Sequence, residues 1–230
     1  MNDLIDLLKN VPLFQDLSKE ELESICPLLQ EIRWKRGNVI FLEGDTGDEL
    51  FIIKKGIVKI YRYNDKKEII LAIFGPGDFF GEMAIIQPSL NRSAAAETLE
   101  NCLIYSLKRA VFYDFMMKHP HICIKLLEVT AQRLRRANDQ IYNLTFLDVR
   151  TRILRSIIYL ANQHGVNRNG GVWIDIRITH QQLADMAGTS RESATKVLQT
   201  LSEEGLIVVK KKRIFLNDYE LLKGLAGLND

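Results

Sequence analysis

The 230-residue chain is 47% hydrophobic and 26% charged, with a formal net charge of +2. This is the balance of an ordinary globular protein with room for two modest domains. No apolar run reaches the length of a membrane span and no basic, apolar, small-residue leader opens the chain, so a cytoplasmic location with no membrane partner is expected. Cys26, Cys102 and Cys123 are too scattered for a disulfide framework or an iron–sulfur cluster, and they read as buried free thiols.

The charge is uneven: residues 1–119 sum to −3 and residues 120–230 to +5. Such a split suits an acidic sensing part followed by a part that meets a polyanion.

The first 30 residues read as helix, with Leu4, Leu7, Leu8, Leu22 and Ile25 at helical spacing, Pro12 separating two short helices, and Ser18-Lys19-Glu20-Glu21 forming a capping box. From Arg33 to about Leu107 the texture changes to short β-rich runs: Val39–Leu42, Leu50–Ile53, Ile57–Tyr63, Ile69–Phe74 and Cys102–Leu107. Gly44, Gly47, Gly56, Gly75 and Gly77 mark the corners. Many short strands at regular spacing predict a closed or sandwiched antiparallel barrel. Within this region GEMAIIQPSLNRSAAAE, residues 81–97, sets Glu82 and the pair Arg92-Ser93 among residues that look meant for a core.

A long helix is predicted from about Pro120 to Leu147. Leu127, Thr130, Leu134, Ala137, Ile141 and Leu144 alternate spacings of three and four along it, and Arg133, Arg135 and Arg136 flank that seam. A helix packed on its own barrel would show the same pattern. A run of nearly three heptads favours a parallel homodimer. From Asp148, a candidate N-cap, a new helix carries Ile153, Leu154, Ile157, Ile158 and Leu160, and the hinge is placed near Phe146–Asp148. A polar loop over 167–171 and a strand over Val172–Ile178 follow.

Thr179 and Gln182 form a capping box for a short helix that Gly188 closes. A second helix starts at once, capped by Thr189 or Ser190, with Ala194, Val197, Leu198 and Leu201 inward and Arg191, Glu192, Thr195, Lys196 and Gln199 outward. Two short helices joined by a tight glycine turn form the helix-turn-helix unit, whose second helix enters the major groove. Arginine there binds guanine bidentately and glutamate accepts from cytosine. The bland alternatives are an ion pair between Glu192 and Lys196, or a capping box between Glu192 and Thr189. Leu206–Val209 and Ile214–Leu216 then frame Lys210-Lys211-Lys212-Arg213 as a hairpin, which suits a wing on the phosphate backbone or a charged, protected edge strand.

Over nearly its full length, from about Val11-Pro12-Leu13-Phe14 to Leu216, the chain resembles the cyclic AMP receptor protein and fumarate–nitrate regulator (Crp–Fnr) family of bacterial transcription factors. The segments GEMAIIQPSLNRSA, Asn143-Leu144-Thr145-Phe146-Leu147-Asp148-Val149 and Thr189-Ser190-Arg191-Glu192-Ser193 carry the match. The resemblance implies an α+β architecture: a β jelly-roll cyclic-nucleotide-binding domain over 1–119, a dimerisation helix over 120–147 and a winged helix-turn-helix domain over 148–230. It places the ligand at Gly81, Glu82, Met83, Arg92 and Ser93, with Glu82 on the ribose 2′-hydroxyl and Arg92-Ser93 on the cyclic phosphate. A buried arginine without such an anion would be costly. The alternative is that Glu82 and Arg92 simply pair with each other.

Ala137 and Asn138 stand where the receptor protein carries a Thr-Ser pair that contacts adenine, and Arg133 one turn earlier is expected to face the pocket. Cyclic AMP is the first choice of ligand, with cyclic GMP or another nucleotide as the alternative. On the DNA side the resemblance implies a double-stranded, palindromic, TGTGA-like operator. Thr179, Ser190, Arg191, Glu192, Thr195 and Lys196 would contact it, with Lys211 and Lys212 on its backbone and Lys196 reading one base less directionally than an arginine would. RNA polymerase is a further partner in the family, and the loop from His164 to Gly171 lies where the receptor protein touches it. The cysteine cluster of the iron–sulfur branch and the ligands of the haem branch have no counterpart here. None of His119, His121, His164 and His180 lies in the barrel region, so neither a metal site nor an enzyme is expected. A regulator of the same fold with no ligand, or with another trigger, is the rival reading.

Overall fold

A computed structural model describes residues 2–64, 67–87, 90–168 and 170–228. Asp65 and Lys66, Pro88 and Ser89 of the motif, and Asn169 of the expected polar loop lie outside the described residues. The chain divides into two compact units, residues 1–62 with 71–136 and residues 63–70 with 137–230.

Among the described residues, helices α1 (Asn2–Lys9) and α2 (Lys19–Ile25) precede eight strands, β1 (Gln30–Trp34), β2 (Val39–Phe41), β3 (Glu49–Lys55), β4 (Val58–Asn64), β5 (Lys67–Phe74), β6 (Phe79–Phe80), β7 (Ala95–Thr98) and β8 (Cys102–Lys108). Helix α3 (Glu82–Ile86) lies between β6 and β7. Helices α4 (Arg109–Lys118) and α5 (His121–Phe146) follow β8. The predicted capping box at Ser18 is present, with Ser18 Oγ accepting from the Glu21 amide.

The strands form two four-stranded sheets, ordered β1-β8-β3-β6 and β2-β7-β4-β5. Strand β3 shows how the core is built. Phe51 and Ile53 join Val58, Phe80, Ala96 and Ile104 in one apolar cluster, while Leu50 and Ile52 belong to another with α1, α2, α4 and the start of α5. Successive strand residues point to opposite faces, so a near-continuous apolar run is what a strand buried on both sides requires.

Four of these elements depart from the sequence expectation. Strand β1 is half exposed with charged residues, β6 has two residues, β7 is built from small alanines, and α4 separates β8 from the long helix. The long helix starts at His121, close to the predicted boundary. Cys26 and Cys102 are buried free thiols, but Cys123 is exposed on α5, against expectation.

In the second unit α6 (Val149–His164) is capped by Asp148, whose carboxylate accepts from the Thr151 amide at 2.9 Å. Strands β9 (Gly165–Arg168) and β10 (Gly171–Ile174), helices α7 (His180–Met186) and α8 (Arg191–Glu203), strands β11 (Ile207–Lys210) and β12 (Arg213–Leu216), and helix α9 (Tyr219–Leu225) follow. Their sheet is ordered β11-β12-β10-β9. The supposed polar loop therefore begins as a strand, because Val166 to Arg168 pair with Trp173 to Gly171. The predicted strand over Val172–Ile178 stops at Ile174, after which the backbone leaves the ladder: the Asp175 amide donates to His164 O and the Ile178 amide to Lys212 O.

Candidate functional site

The motif at residues 81–97 folds around one arginine. Gly81 caps α3 with a left-handed backbone (φ 86°), and a Cβ there would lie 2.6 Å from Arg92 Nη1. Gly47 is needed for the same reason, since its Cβ would fall 2.3 Å from Arg92 Nε. Arg92 itself is only 6% exposed. Its Nη1 donates to Gly81 O at 2.8 Å and its Nη2 to Glu49 O at 2.9 Å, while the guanidinium lies 4.3 Å from the Phe41 ring centroid.

These bonds occupy two of the five N–H donors of a guanidinium. The buried Nε has no hydrogen-bond partner among the described residues. Desolvation pushes the Arg92 pKa down, partly opposed by the carboxylates of Glu49, Asp48 and Glu82. A buried cation with free donors and no ion-pair partner among the described residues favours an anion beside it.

Glu82, also 6% exposed, does not pair with Arg92. Its carboxylate lies 2.8 Å from Arg133 Nη1 on α5, and Arg133 Nη2 donates to Phe79 O at 2.7 Å. The Arg133 guanidinium stacks near the rings of Phe74 and Phe79. Met83 and Ser93 are exposed, with Ser93 Oγ 3.5 Å from Met83 Sδ. Ala137 and Asn138 are exposed on α5, past the point where the chain divides into its two units.

One residue that no sequence motif marks completes the frame. Arg109, the first residue of α4, donates through Nη2 to Gly47 O and to Ala84 O, the two segments that enclose Arg92. Its spacing from the motif carries no signal, because only the folded barrel brings strand end, corner and α3 together.

In the second unit Thr179 caps α7 in a box with Gln182, Gly188 turns the chain at φ 61° and Ser190 caps α8. Gly188 also admits Leu144, whose Cδ2 would lie 2.5 Å from an added Cβ. Ala194, Leu198 and Leu201 are buried, while Arg191, Glu192, Lys196 and Gln199 are exposed on the other face. Among the described residues no ion pair joins Glu192 to Lys196. The Glu192 carboxylate is held below its ordinary pKa by its own backbone amide and the Ser190 hydroxyl. Thr195 is more engaged than its predicted outward position implies: half-buried, it donates to Arg191 O at 2.8 Å and lies 2.9 Å from His180 Nδ1. Lys211 and Lys212 form the exposed tip of the β11–β12 wing.

Residues 31–119 match the cyclic nucleotide-binding domain family and residues 151–225 the Crp-like helix-turn-helix domain family. The chain is 33% identical over 218 residues to the CRP-like cAMP-activated global transcriptional regulator of Mycobacterium tuberculosis, covering 94% of this chain and 97% of that one. It is 31% identical over 220 residues to the cyclic AMP receptor protein of Thermus thermophilus, covering 95% and 98%. Among solved structures, the c-di-GMP responsive global regulator CLP of Xanthomonas campestris is similar with a TM-score of 0.74 at 25% identity, over 87% of this chain and 100% of that one.

Proposed function

Since the chain belongs to the Crp–Fnr family of transcription regulators, we propose that it is a homodimer that binds cyclic AMP and, in response, a palindromic TGTGA-like operator. The observation that carries the nucleotide half is Arg92, buried with an unpartnered Nε and framed by two glycines that leave room for nothing larger. A cyclic phosphate supplies the missing anion; Glu82 takes a ribose hydroxyl, and Arg133 holds Glu82 in place. The names of the M. tuberculosis and T. thermophilus relatives support cyclic AMP. The second reading, another nucleotide, is favoured by the exposed Ala137 and Asn138 in place of a Thr-Ser pair and by a relative that responds to c-di-GMP.

We assign nucleotide binding to residues 1–119, dimerisation to 120–147 and DNA binding to 148–230. The seam supports the dimer: Leu127, Leu134 and Ile141 are 69%, 62% and 64% exposed in the single chain, an apolar stripe that a second copy would cover. Arg191, Glu192 and Lys196 read bases in successive major grooves about 34 Å apart, and Thr179, Ser190, Lys211 and Lys212 hold phosphates. RNA polymerase is a further partner in this reading, through the 164–171 segment. The ligand acts by binding one arrangement of the dimer better than the other. The test is operator binding on a TGTGA palindrome without nucleotide, with cyclic AMP and with cyclic GMP. Stronger binding with cyclic AMP alone is expected; equal binding in all three conditions would replace this reading with a ligand-independent regulator.

A further inference from the structure

Within the second unit, arginines on α6 reach the ends of other helices. Arg150 pairs with Glu204 at the end of α8, its Nη1 3.1 Å from Oε1. Arg152 donates to Ala187 O at the end of α7 and to Leu147 O just past α5, both at 2.9 Å. Arg155 joins two helices at once. Its Nε and Nη2 donate to Ala226 O and Gly227 O at 2.9 and 3.0 Å, at the end of α9, while its Nη1 donates to Asn143 Oδ1 at 2.7 Å, in the last turn of α5. All three acceptors are neutral, and the two carbonyls lie at the negative end of α9, where a cation is favoured.

Gly227 makes the double contact possible. It is left-handed at φ 63°, the conformation that closes a helix, and it leaves two successive carbonyls within reach of one guanidinium. The other end of α9 is pinned separately, since Tyr219 Oη donates to Asn162 Oδ1 on α6 at 2.6 Å. Leu222 and Ala226 are fully buried. At seven residues α9 is too short to persist alone, so these contacts are what order it.

The last turn of α5 is likewise held from outside. Leu144 fills the notch at Gly188, Leu147 O accepts from Arg152, and Asn143 accepts from Arg155. These contacts span Phe146–Asp148, the position where the sequence places a hinge. A hinge there moves only after they part.

We propose that α9 is a latch on the end of α5, with Arg155 as its positioning residue. The two helices have no covalent proximity, yet loosening either one loosens the other, because coupling through a shared contact is reciprocal. Leu144 and Arg152 connect the same turn of α5 to α7 and to the glycine turn before α8, so the latch sets whether the helix-turn-helix unit moves with α5 or apart from it. Its part in switching rests on the DNA-binding reading above; the latch itself does not.

Hydrogen exchange of the full chain tests it, with the amides of residues 144–147 and 222–226 as the two readouts. Asn143→Ala removes the acceptor on α5 while raising that helix's own propensity, so any loosening of α9 comes through Arg155. Tyr219→Phe releases the far end of α9 and touches nothing on α5. Asn143→Ala is expected to speed exchange in α9 about tenfold or more, the weight of one hydrogen bond to a charged group. Tyr219→Phe is expected to speed exchange in the last turn of α5, and Arg155→Lys, which keeps the charge and loses the fork, to speed both. Wild-type exchange of α9 in Asn143→Ala, or of the α5 turn in Tyr219→Phe, overturns the latch. For switching, the ratio of operator affinities with and without cyclic AMP is expected to change at least fivefold in Arg155→Lys; an unchanged ratio overturns the role in switching. A wild-type protein without any nucleotide dependence removes the cyclic AMP reading instead, and the exchange result stands apart from it.

Discussion

Replacing Arg92 with methionine should separate folding from ligand binding. In the free protein the guanidinium is desolvated and has no ion-pair partner among the described residues, so its removal relieves a penalty, while the carbonyls of Gly81 and Glu49 lose their donors. These effects offset each other to within about 1 kcal/mol. In the complex the loss is larger: two charge-assisted bonds to a cyclic phosphate are worth about 3 to 4 kcal/mol, which raises Kd by a factor of about 10² to 10³. At a ligand concentration 100 times the wild-type Kd, binding stabilises the folded state by about 2.7 kcal/mol. After a hundredfold loss of affinity the same concentration gives about 0.4 kcal/mol. Urea unfolding with and without cyclic AMP measures both quantities. Unfolding of the domain by Arg92→Met, or full stabilisation by nucleotide in that variant, would rule out this role for Arg92.

Gly47→Ala places a Cβ 2.3 Å from Arg92 Nε and should displace the guanidinium, lowering nucleotide affinity at least tenfold by calorimetry at a stability cost of about 1 to 2 kcal/mol. Glu82→Gln and Arg133→Met should couple by about 1 to 2 kcal/mol in a double-mutant unfolding cycle, because Glu82 is buried; additive effects would show the ion pair to be inert. Arg191→Ala should cost about 1 to 3 kcal/mol of discrimination between operator and random duplex in a binding competition. Asp148→Ala should remove about 1 kcal/mol at neutral pH. The Asp148 carboxyl is held below its ordinary 3.8 by the Thr151 amide, so this contribution is fully present above 3.8 and lost as pH falls through the lower folded-state value. Urea melts at several pH values should show wild type and variant converging in acid.

The elements legible in the sequence were those whose own residues specify them. Ser18 with Glu21, Thr179 with Gln182 and Asp148 are caps written within four residues, and all three form as read. Strand β7 could not be read this way, since Ala95 and Ala96 have little strand preference and are held there by pairing with β4. The same limit applies to the candidate site. The spacing within residues 81–97 marks Glu82 and Arg92 as unusual. What encloses Arg92, however, is Gly47, Glu49 and Arg109, set by contacts 25 to 62 residues apart in the chain that no local pattern encodes.

The magnitudes also bear on how occupancy could become a signal. Moving a two-state equilibrium from 1:99 to 99:1 requires about 5.5 kcal/mol of differential binding. The phosphate contacts assigned to Arg92 supply about 3 to 4 kcal/mol in total, and only the part that differs between the two states counts toward switching. Arg92 also makes none of its hydrogen bonds to α5. The group on α5 that does meet the pocket is Arg133, through Glu82, and α5 runs through the division between the two compact units at residues 136 and 137. The phosphate contacts of a single nucleotide would therefore fall short of the full switch even if all of their energy differed between the two states. Two nucleotides acting on one shared equilibrium need only about 2.7 kcal/mol each. In the proposed homodimer the exposed Leu127, Leu134 and Ile141 would make that sharing physically available, and the dimer would then be part of the switch as well as a match for a palindrome.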